Sequence, residues 1–386
     1  MYTLLLALIY LAFISLGLPD SLLGAGWPMM HLSVNVPISY LGILSMTISG
    51  GTIVSSLLSD TLTRRFGTQT VTVVSVFLTA VAMLGFSVSQ KFWMLLLFAV
   101  PYGFGAGSID AALNNYVALH YTSRHMSWLH CFWGVGTIVS PFVMSWALAN
   151  SVWNTGYRTV SFIQFGIALI LLLTLPVWKA VRTKEDAETA KKSPGITGAL
   201  KIKGVLPLFA GFFAYCAAEA TAMGWASTYM VEVKHASVEL AARFGSLFFI
   251  GMTVGRFFGG FIMNKLGDRK MIRIGFCVLT VGVLLLVLSG ESTALAAAGL
   301  VVFGLGCAPI YPCTIHSTPV NFGAENSGPI ISIQMACAYF GTTFMPPLFG
   351  LLGSFTGYGI FPLYMFLFNI LMLVMLERMF RVRASA

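Results

Sequence analysis

The chain has 386 residues, of which 57% are hydrophobic and 9% charged, and its formal net charge is +9. Soluble proteins carry roughly 25% charged residues, so this composition excludes a water-soluble fold. Within a bilayer, only helices and closed barrels satisfy their own backbone hydrogen bonds. The apolar runs here are long and continuous, unlike the alternating segments of about ten residues in a barrel. The sequence therefore predicts an all-α membrane protein.

Twelve apolar runs are long enough to cross a bilayer, which takes roughly 20 residues of helix. The first run resembles the apolar core of a signal peptide. No basic residue precedes it, however, and it continues past the length of such a core, which favours an uncleaved span. In chain order, the predicted spans are 3–31, 38–59, 69–89, 92–119, 127–150, 158–178, 205–231, 240–263, 272–290, 293–319, 329–354 and 359–379.

The basic residues are distributed unequally between the alternating loops. If both termini are cytoplasmic, seventeen of the 22 lysines and arginines fall on the cytoplasmic side, four fall outside, and Arg256 falls within a span. This asymmetry is the positive-inside pattern. It predicts a multi-pass protein of the plasma membrane, such as a bacterial inner membrane, and it explains the net charge without a nucleic-acid partner.

The two ends of the chain repeat each other around a polar stretch. Residues 1–178 and 204–386 each contain six predicted spans, and 179–203 is predicted to be a cytoplasmic linker. Small residues recur at every fourth position in both halves, at Gly51, Ser55 and Ser59 and at Gly251, Gly255 and Gly259, which suits close helix packing. Further glycines repeat at an offset of 200 or 201 residues. The recurring pairs are Gly24 and Gly224, Gly51 and Gly251, Gly67 and Gly267, Gly103 and Gly304, and Gly105 and Gly306. These pairs predict two pseudo-symmetric halves of six helices.

Three of the 13 acidic residues, Asp20, Asp110 and Glu219, lie deep within predicted spans. A carboxylate at the bilayer centre costs about 2.5–3.5 kcal/mol, so each of the three needs a reason. One interpretation is proton exchange or substrate binding, because burial lets a carboxyl load and release protons near neutral pH. The other is a protonated or hydrogen-bonded carboxyl that only holds helices together.

Polar and aromatic side chains accompany these acids within the spans. Asp110 and Asn114 are four residues apart and share a helix face, and an amide offers both donors and an acceptor to hydroxyl groups. For Trp225 the alternative is packing, and for His130 it is a hydrogen-bonding filler. The predicted substrate-binding residues are Asn114, Asn115, His130, Glu219, Trp225 and Gln334.

Sequence signatures of other functions are missing. The chain has no Walker A, GxSxG or HExxH sequence, so it predicts neither ATP-driven transport nor an enzyme. The six cysteines fall inside apolar runs without the spacing of metal ligands, so no metal, disulfide or cofactor is expected.

The fourth span contains the motif Gly105-x-Gly107-x-x-Asp110-x-x-x-Asn114-x-Tyr116-Val117. This motif is similar to the fourth helix of the fucose permease-like branch of the major facilitator superfamily, and the overall resemblance covers nearly the whole chain. The resemblance implies two six-helix halves with the substrate between them near the bilayer midplane.

The same resemblance implies roles for individual residues. The segment that ends at Asp20 looks like the branch's other acidic site, which would make Asp20 and Asp110 the proton-coupling pair. The loop Asp60-x-x-x-Arg64-Arg65-x-Gly67 is similar to the superfamily's loop between helices two and three, which implies a gating role for Arg64 and Arg65. Independently of the resemblance, the position of Arg256 within a span predicts that it either braces the inner gate or snorkels to the cytoplasmic face.

One departure leaves the substrate open. The sugar-binding members of the branch show Gln and Asn where His130 and Trp133 stand in this sequence. The leading hypothesis is a monomeric, proton-coupled symporter of a small polar solute, chiefly a monosaccharide or a derivative, that works by alternating access. The expected partners are this solute, protons and the lipid bilayer.

The sequence is also compatible with other functions. A proton-driven exporter of amphipathic compounds would be favoured by a large apolar cavity, and an uncoupled facilitator would need no titratable pair. A substrate sensor or a lipid scramblase belongs to a different class. A sensor usually needs a cytoplasmic signalling module, and only the linker 179–203 offers room for one.

Overall fold

The computed structural model describes residues 2–181 and 193–384, with the side chains of all of these except 2, 179–181 and 238–246. Much of the predicted linker, from Arg182 to Lys192, lies outside the described residues. Over the described ranges the chain is almost entirely helical and contains no strand. The predicted all-α class is confirmed.

Sixteen α-helices follow one another along the described chain, with one short 3₁₀ helix at Tyr358–Ile360 before the last. They are α1 (Tyr2–Asp20), α2 (Leu22–Ser33), α3 (Tyr40–Phe66), α4 (Thr68–Val88), α5 (Phe92–His120), α6 (Ser123–Asn150), α7 (Trp153–Leu173), α8 (Leu175–Val181), α9 (Gly195–Ala199), α10 (Val205–Glu232), α11 (Val238–Leu266), α12 (Asp268–Leu288), α13 (Thr293–Cys307), α14 (Ile310–Phe322), α15 (Ala324–Thr356) and α16 (Phe361–Ala384).

Within the described ranges, twelve segments are long and apolar enough to cross a membrane, which confirms the predicted number. Two of them combine two α-helices, although the sequence predicts one helix for each. The first span combines α1 and α2, and the break follows Pro19; the tenth combines α13 and α14, and the break falls at Pro309. Proline has no N–H to donate to the preceding turn, so a break at these positions is physically reasonable.

The predicted loop with Asp60, Arg64 and Arg65 is wrong, because these residues lie on α3. The helix continues beyond the apolar part of the span and ends at Gly67, whose φ is +84°. Its counterpart α11 ends in the same way at Gly267, whose φ is +78°. Glycine adopts positive φ at little cost, so these two glycines set the true ends of both helices.

The repeated glycines make the same contact in both halves of the sequence. Gly103 on α5 lies against the backbone of Ile48 and Thr52 on α3, and an added Cβ would overlap the Ile48 carbonyl oxygen. Gly304 on α13 lies against the backbone of Phe248 and Met252 on α11 in the same manner. Small residues allow helix axes to approach closely in membranes, so the sequence repeat has a structural counterpart.

The chain divides into two compact units. The first unit contains Met1–Tyr116, Leu129–Ile196 and Ala324–Ala336; the second contains Val117–Trp128, Thr197–Gly323 and Cys337–Ala386. In the first unit α4 packs along α7, and in the second α13 packs against both α11 and α12 while α10 packs along α16. The division of the chain at 179–203 remains a prediction.

Large apolar side chains cover the outer faces of helices in both units. Phe142, Leu173, Leu288 and Phe355 are between 70% and 80% exposed. Exposure of so much apolar surface to water is unfavourable at roughly 25 cal/mol per Å². These faces suit lipid, in agreement with a multi-pass membrane protein.

Candidate functional site

Asp110, Asn114 and His130 form a buried hydrogen-bonded chain in the first unit. The Asn114 amide nitrogen donates to Asp110 Oδ1 at 2.8 Å, and His130 Nε2 donates to the Asn114 amide oxygen at 3.1 Å. The three residues are 6%, 0% and 6% exposed. The first contact follows from the four-residue spacing on α5, whereas the second links α5 to α6. A change of charge on Asp110 therefore acts directly on Asn114, which in turn contacts His130.

Asp20 lies in a second polar group of the first unit, at the end of α1. Tyr102 donates its hydroxyl to Asp20 Oδ1 at 2.7 Å, and Trp133 donates its indole N–H to Oδ2 at 2.8 Å. Unlike Asp110, Asp20 is exposed. An indole N–H can only donate, whereas a phenol can donate or accept. Protonation of Oδ1 would therefore be accommodated by reversal of the Tyr102 hydrogen bond, with the Trp133 contact kept.

Glu219 and Arg256 form a buried ion pair in the second unit. Arg256 Nη2 lies 3.1 Å from Glu219 Oε1, and the two side chains are 5% and 11% exposed. The Ser127 hydroxyl donates to the Arg256 backbone carbonyl at 2.7 Å. Arg256 Nε makes no hydrogen bond to any described residue. The predicted substrate ligand and the predicted gating arginine are thus partners, and the pair retains one buried donor that can bind an oxygen atom.

The other predicted substrate-binding residues have different surroundings. Trp225 donates its indole N–H to the Pro346 carbonyl at 2.8 Å and stacks on Tyr358, with ring centroids 5.4 Å apart. These contacts pack the Trp225 ring in the second unit, and its role in substrate binding remains a prediction. Asn115 accepts a 2.8 Å hydrogen bond from Ser327 in the first unit, where Gln334 is fully buried. Their roles in binding remain predictions.

Asp60, which the sequence places in the predicted gating loop, is a buried acid in the structure. Asp60 is 5% exposed, and Arg64 Nε lies 3.1 Å from Asp60 Oδ2. The backbone N–H of Asp60 donates to Ser332 Oγ at 3.2 Å. Its carboxylate also packs against Gly328, where an added Cβ would collide with Oδ1. The spacing of Asp60 and Arg64 on one helix face is the signal that could have found this pair. Arg65 is exposed beside Phe66.

None of these groups has the arrangement of a metal centre. No cluster of three or more His, Cys, Asp or Glu side chains suited to a metal ion occurs within the described part of the chain. The groups that are present offer proton-binding carboxylates, hydrogen-bonding amides and one buried guanidinium. Such groups bind and release protons and small polar solutes.

Twelve apolar helices with buried titratable and amide groups are typical of a polytopic membrane transporter. The sequence model of the Major Facilitator Superfamily matches residues 9–328 and, in a second match, 208–385. The chain therefore belongs to the Major Facilitator Superfamily, as the resemblance of the fourth span implies.

Known proteins agree with this assignment. The chain is 25% identical to an uncharacterized transporter, y4wD, of Sinorhizobium fredii, over 81% of each chain. It is 22% identical to the glucose/mannose transporter GlcP of Bacillus subtilis, over 70% of this chain and 68% of that protein. It is 23% identical to the 4-hydroxybenzoate transporter PcaK of Acinetobacter baylyi, over 82% of this chain and 74% of that protein.

A solved structure shows the same fold. The E. coli fucose:proton symporter FucP, in its outward conformation, superposes with a TM-score of 0.78. The sequences are 15% identical, and the alignment covers 96% of this chain and 97% of that chain. The predicted fold, twelve helices of the type found in the fucose permease, is confirmed.

Proposed function

We propose that the protein is a proton-coupled symporter of a small polar solute, most readily a monosaccharide or a sugar derivative. The observation that carries the proposal is the buried chain Asp110–Asn114–His130. It places a proton-binding group one hydrogen bond from an amide that suits a hydroxyl, so that substrate and proton act on the same side chain. The names of GlcP and FucP, which concern sugars, support this choice.

A small organic anion is the second candidate substrate. The buried Arg256 keeps a donor without a described partner, and a guanidinium binds carboxylates well. The similarity to a 4-hydroxybenzoate transporter supports this alternative. The two candidate substrates would bind through different residues. A sugar would need Asn114 and His130, whereas an anion would need Arg256.

A ligand screen separates these candidates. We expect one monosaccharide to raise the thermal unfolding midpoint of the purified protein, because a ligand that binds only the folded state stabilises it. Asn114→Ala should weaken the binding of that sugar roughly ten- to hundredfold, since an unsatisfied buried hydrogen bond costs about 1–3 kcal/mol. Isothermal titration measures the affinities. The exposed amide Asn150 provides the control variant Asn150→Ala, which should bind as the wild type does.

Three results would reject the sugar proposal. One is an affinity for the sugar that is unchanged in Asn114→Ala, His130→Ala and Gln334→Ala alike. Another is stabilisation by hydroxybenzoates but by no sugar, which would favour the organic anion. The third is stabilisation only by amphipathic drugs, which would favour the exporter.

We also propose that both termini and residues 179–203 face the cytoplasm, on the evidence of the basic asymmetry. A single cysteine at Ser193, in a variant without native cysteines, should react with a membrane-impermeant maleimide only after the cells are opened. A cysteine at Lys91, between α4 and α5, should react in intact cells. The reverse pattern would invert the orientation.

A further inference from the structure

A cavity of about 430 Å³ opens in the second unit where three helices begin or end. Arg269 at the start of α12, Asn321 near the end of α14, and Phe380 and Arg383 near the end of α16 line it. Successive spans alternate in direction, so these three helix termini lie on one side of the membrane. The cavity therefore sits at the depth where lipid headgroups meet protein.

Arg383 is fixed in this cavity by uncharged groups. Its Nε donates to the Asn321 backbone carbonyl at 2.6 Å, and its Cζ lies 5.1 Å from the centre of the Phe322 ring. No carboxylate within the described ranges lies within ion-pair distance of its guanidinium. A held guanidinium with spare donors is well suited to bind a phosphate through two parallel hydrogen bonds.

Two acids, Glu377 and Asp268, lie at the cavity and have basic partners, and Asp268 is part of its lining. Glu377 receives two short contacts from Arg273, at 2.5 and 2.8 Å, and one longer contact of 3.2 Å from Arg269. Asp268 pairs with His316 Nδ1 at 2.7 Å. Because Arg273 occupies both oxygens of Glu377, Arg269 is held less tightly, and its side chain is 43% exposed. The cavity thus has a surplus of positive charge.

The remaining walls suit the rest of a phospholipid. Val320 is 79% exposed beside the cavity and Phe380 forms an apolar wall, so a ligand held there can continue along an apolar surface. The side-chain amide of Asn321 donates to the Ser317 carbonyl at 2.8 Å, which leaves its oxygen as an acceptor for a hydroxyl group. The volume lies in the range of about 300–1,000 Å³ that is typical of small-molecule sites.

We propose that this cavity binds the headgroup of an anionic phospholipid. Arg383 binds the phosphate, Arg269 supplies the second positive charge, and the Asn321 amide oxygen accepts a hydrogen bond from a headgroup hydroxyl such as that of phosphatidylglycerol. Basic pockets between membrane helices are known to bind such headgroups. The proposal is independent of which solute the transporter carries.

Native mass spectrometry of the purified protein tests the proposal. With short-chain phosphatidylglycerol, phosphatidylcholine or inorganic phosphate as the probe, we expect saturable binding of phosphatidylglycerol and much weaker binding of the other two. Arg383→Gln should weaken phosphatidylglycerol binding about tenfold, as expected for loss of a charge-assisted hydrogen bond. Arg269→Gln should weaken phosphatidylglycerol binding by a smaller factor. This second variant tests the proposal if Arg383→Gln does not fold.

Arg378→Gln is the matched control, because it removes the same charge from an exposed arginine of α16 that does not line the cavity. It should bind phosphatidylglycerol as the wild type does. Equal losses in Arg378→Gln and both cavity variants would show a diffuse charge effect and overturn the proposal. Wild-type affinity in both cavity variants would also overturn it, as would inorganic phosphate that binds as tightly as the lipid and so defines a site for free anions.

Discussion

Replacing Asp110 with asparagine is expected to abolish substrate accumulation driven by a pH gradient while substrate binding is retained. The asparagine side chain has nearly the same shape, and its amide oxygen can still accept the hydrogen bond from Asn114 that Asp110 Oδ1 accepts at 2.8 Å. It cannot bind or release a proton in the physiological range. The variant therefore resembles a transporter that is permanently protonated at this position.

Reconstituted vesicles can separate these two activities. A gradient of about one pH unit, for one proton per substrate, supports at most roughly tenfold accumulation, because a tenfold ratio corresponds to about 1.4 kcal/mol. The wild type should approach this ratio, whereas Asp110→Asn should remain near equal concentrations on both sides. Exchange of labelled for unlabelled substrate, without a gradient, should continue in the variant.

Glu325→Gln makes the same kind of change at an exposed acid near the start of α15 and should accumulate substrate as the wild type does. Asp20→Asn tests the second member of the predicted pair, whose exposed carboxylate accepts hydrogen bonds from Tyr102 and Trp133. Wild-type accumulation in both Asp110→Asn and Asp20→Asn would contradict coupling through this pair. A facilitator, or coupling at another group, would then replace it.

The fold could be predicted from the sequence because a bilayer imposes a simple rule on it. Each span must satisfy its own backbone and be apolar over about 20 residues, so composition alone located twelve spans. The rule fails where polar residues continue a helix, as in α3 from Asp60 to Phe66. The length of an apolar run does not reveal where the helix ends. The end of α3 is set by Gly67, which adopts a positive φ.

Contacts close in sequence were predictable, and contacts distant in sequence were not. The four-residue spacing of Asp110 and Asn114 indicates a shared helix face, and the structure shows a hydrogen bond between them. The partner of Glu219 is Arg256 on another helix, and no spacing rule connects the two. Tyr102, which donates to Asp20 from 82 residues away, gave no sequence signal for the same reason.

The contacts of Trp225 and His130 could not be predicted from their chemical type. Trp225 was a reasonable candidate for stacking on a sugar, because indole combines an apolar face with a polar edge. In the structure its N–H is donated to Pro346 and one ring face stacks on Tyr358. His130, by contrast, joins the buried chain through Asn114. Both sets of contacts depend on residues distant in sequence, and the roles of Trp225 and His130 in substrate binding remain predictions.

Removing the charge of Glu219 alone is expected to destabilise the protein strongly. Glu219→Gln leaves the Arg256 guanidinium, whose side chain is 5% exposed, without a carboxylate partner. Breaking a buried pair on one side costs about 3–5 kcal/mol, because the remaining charge stays desolvated. Unfolding of the purified protein in mixed micelles with increasing SDS should show this loss. Arg256→Gln should cause a loss of similar size through the unpaired carboxylate.

The double variant distinguishes a charge effect from a packing effect. Glu219→Gln combined with Arg256→Gln buries two neutral amides and no charge, so it should recover at least half of the stability that either single variant loses. Glu377→Gln gives the matched control, because it disrupts a more exposed pair with Arg269 and Arg273 in the same unit and should cost far less. If the double variant is less stable than both single variants, the charges do not stabilise each other. If Glu219→Gln unfolds as the wild type does, the carboxylate is dispensable to the fold and is available for substrate or protons.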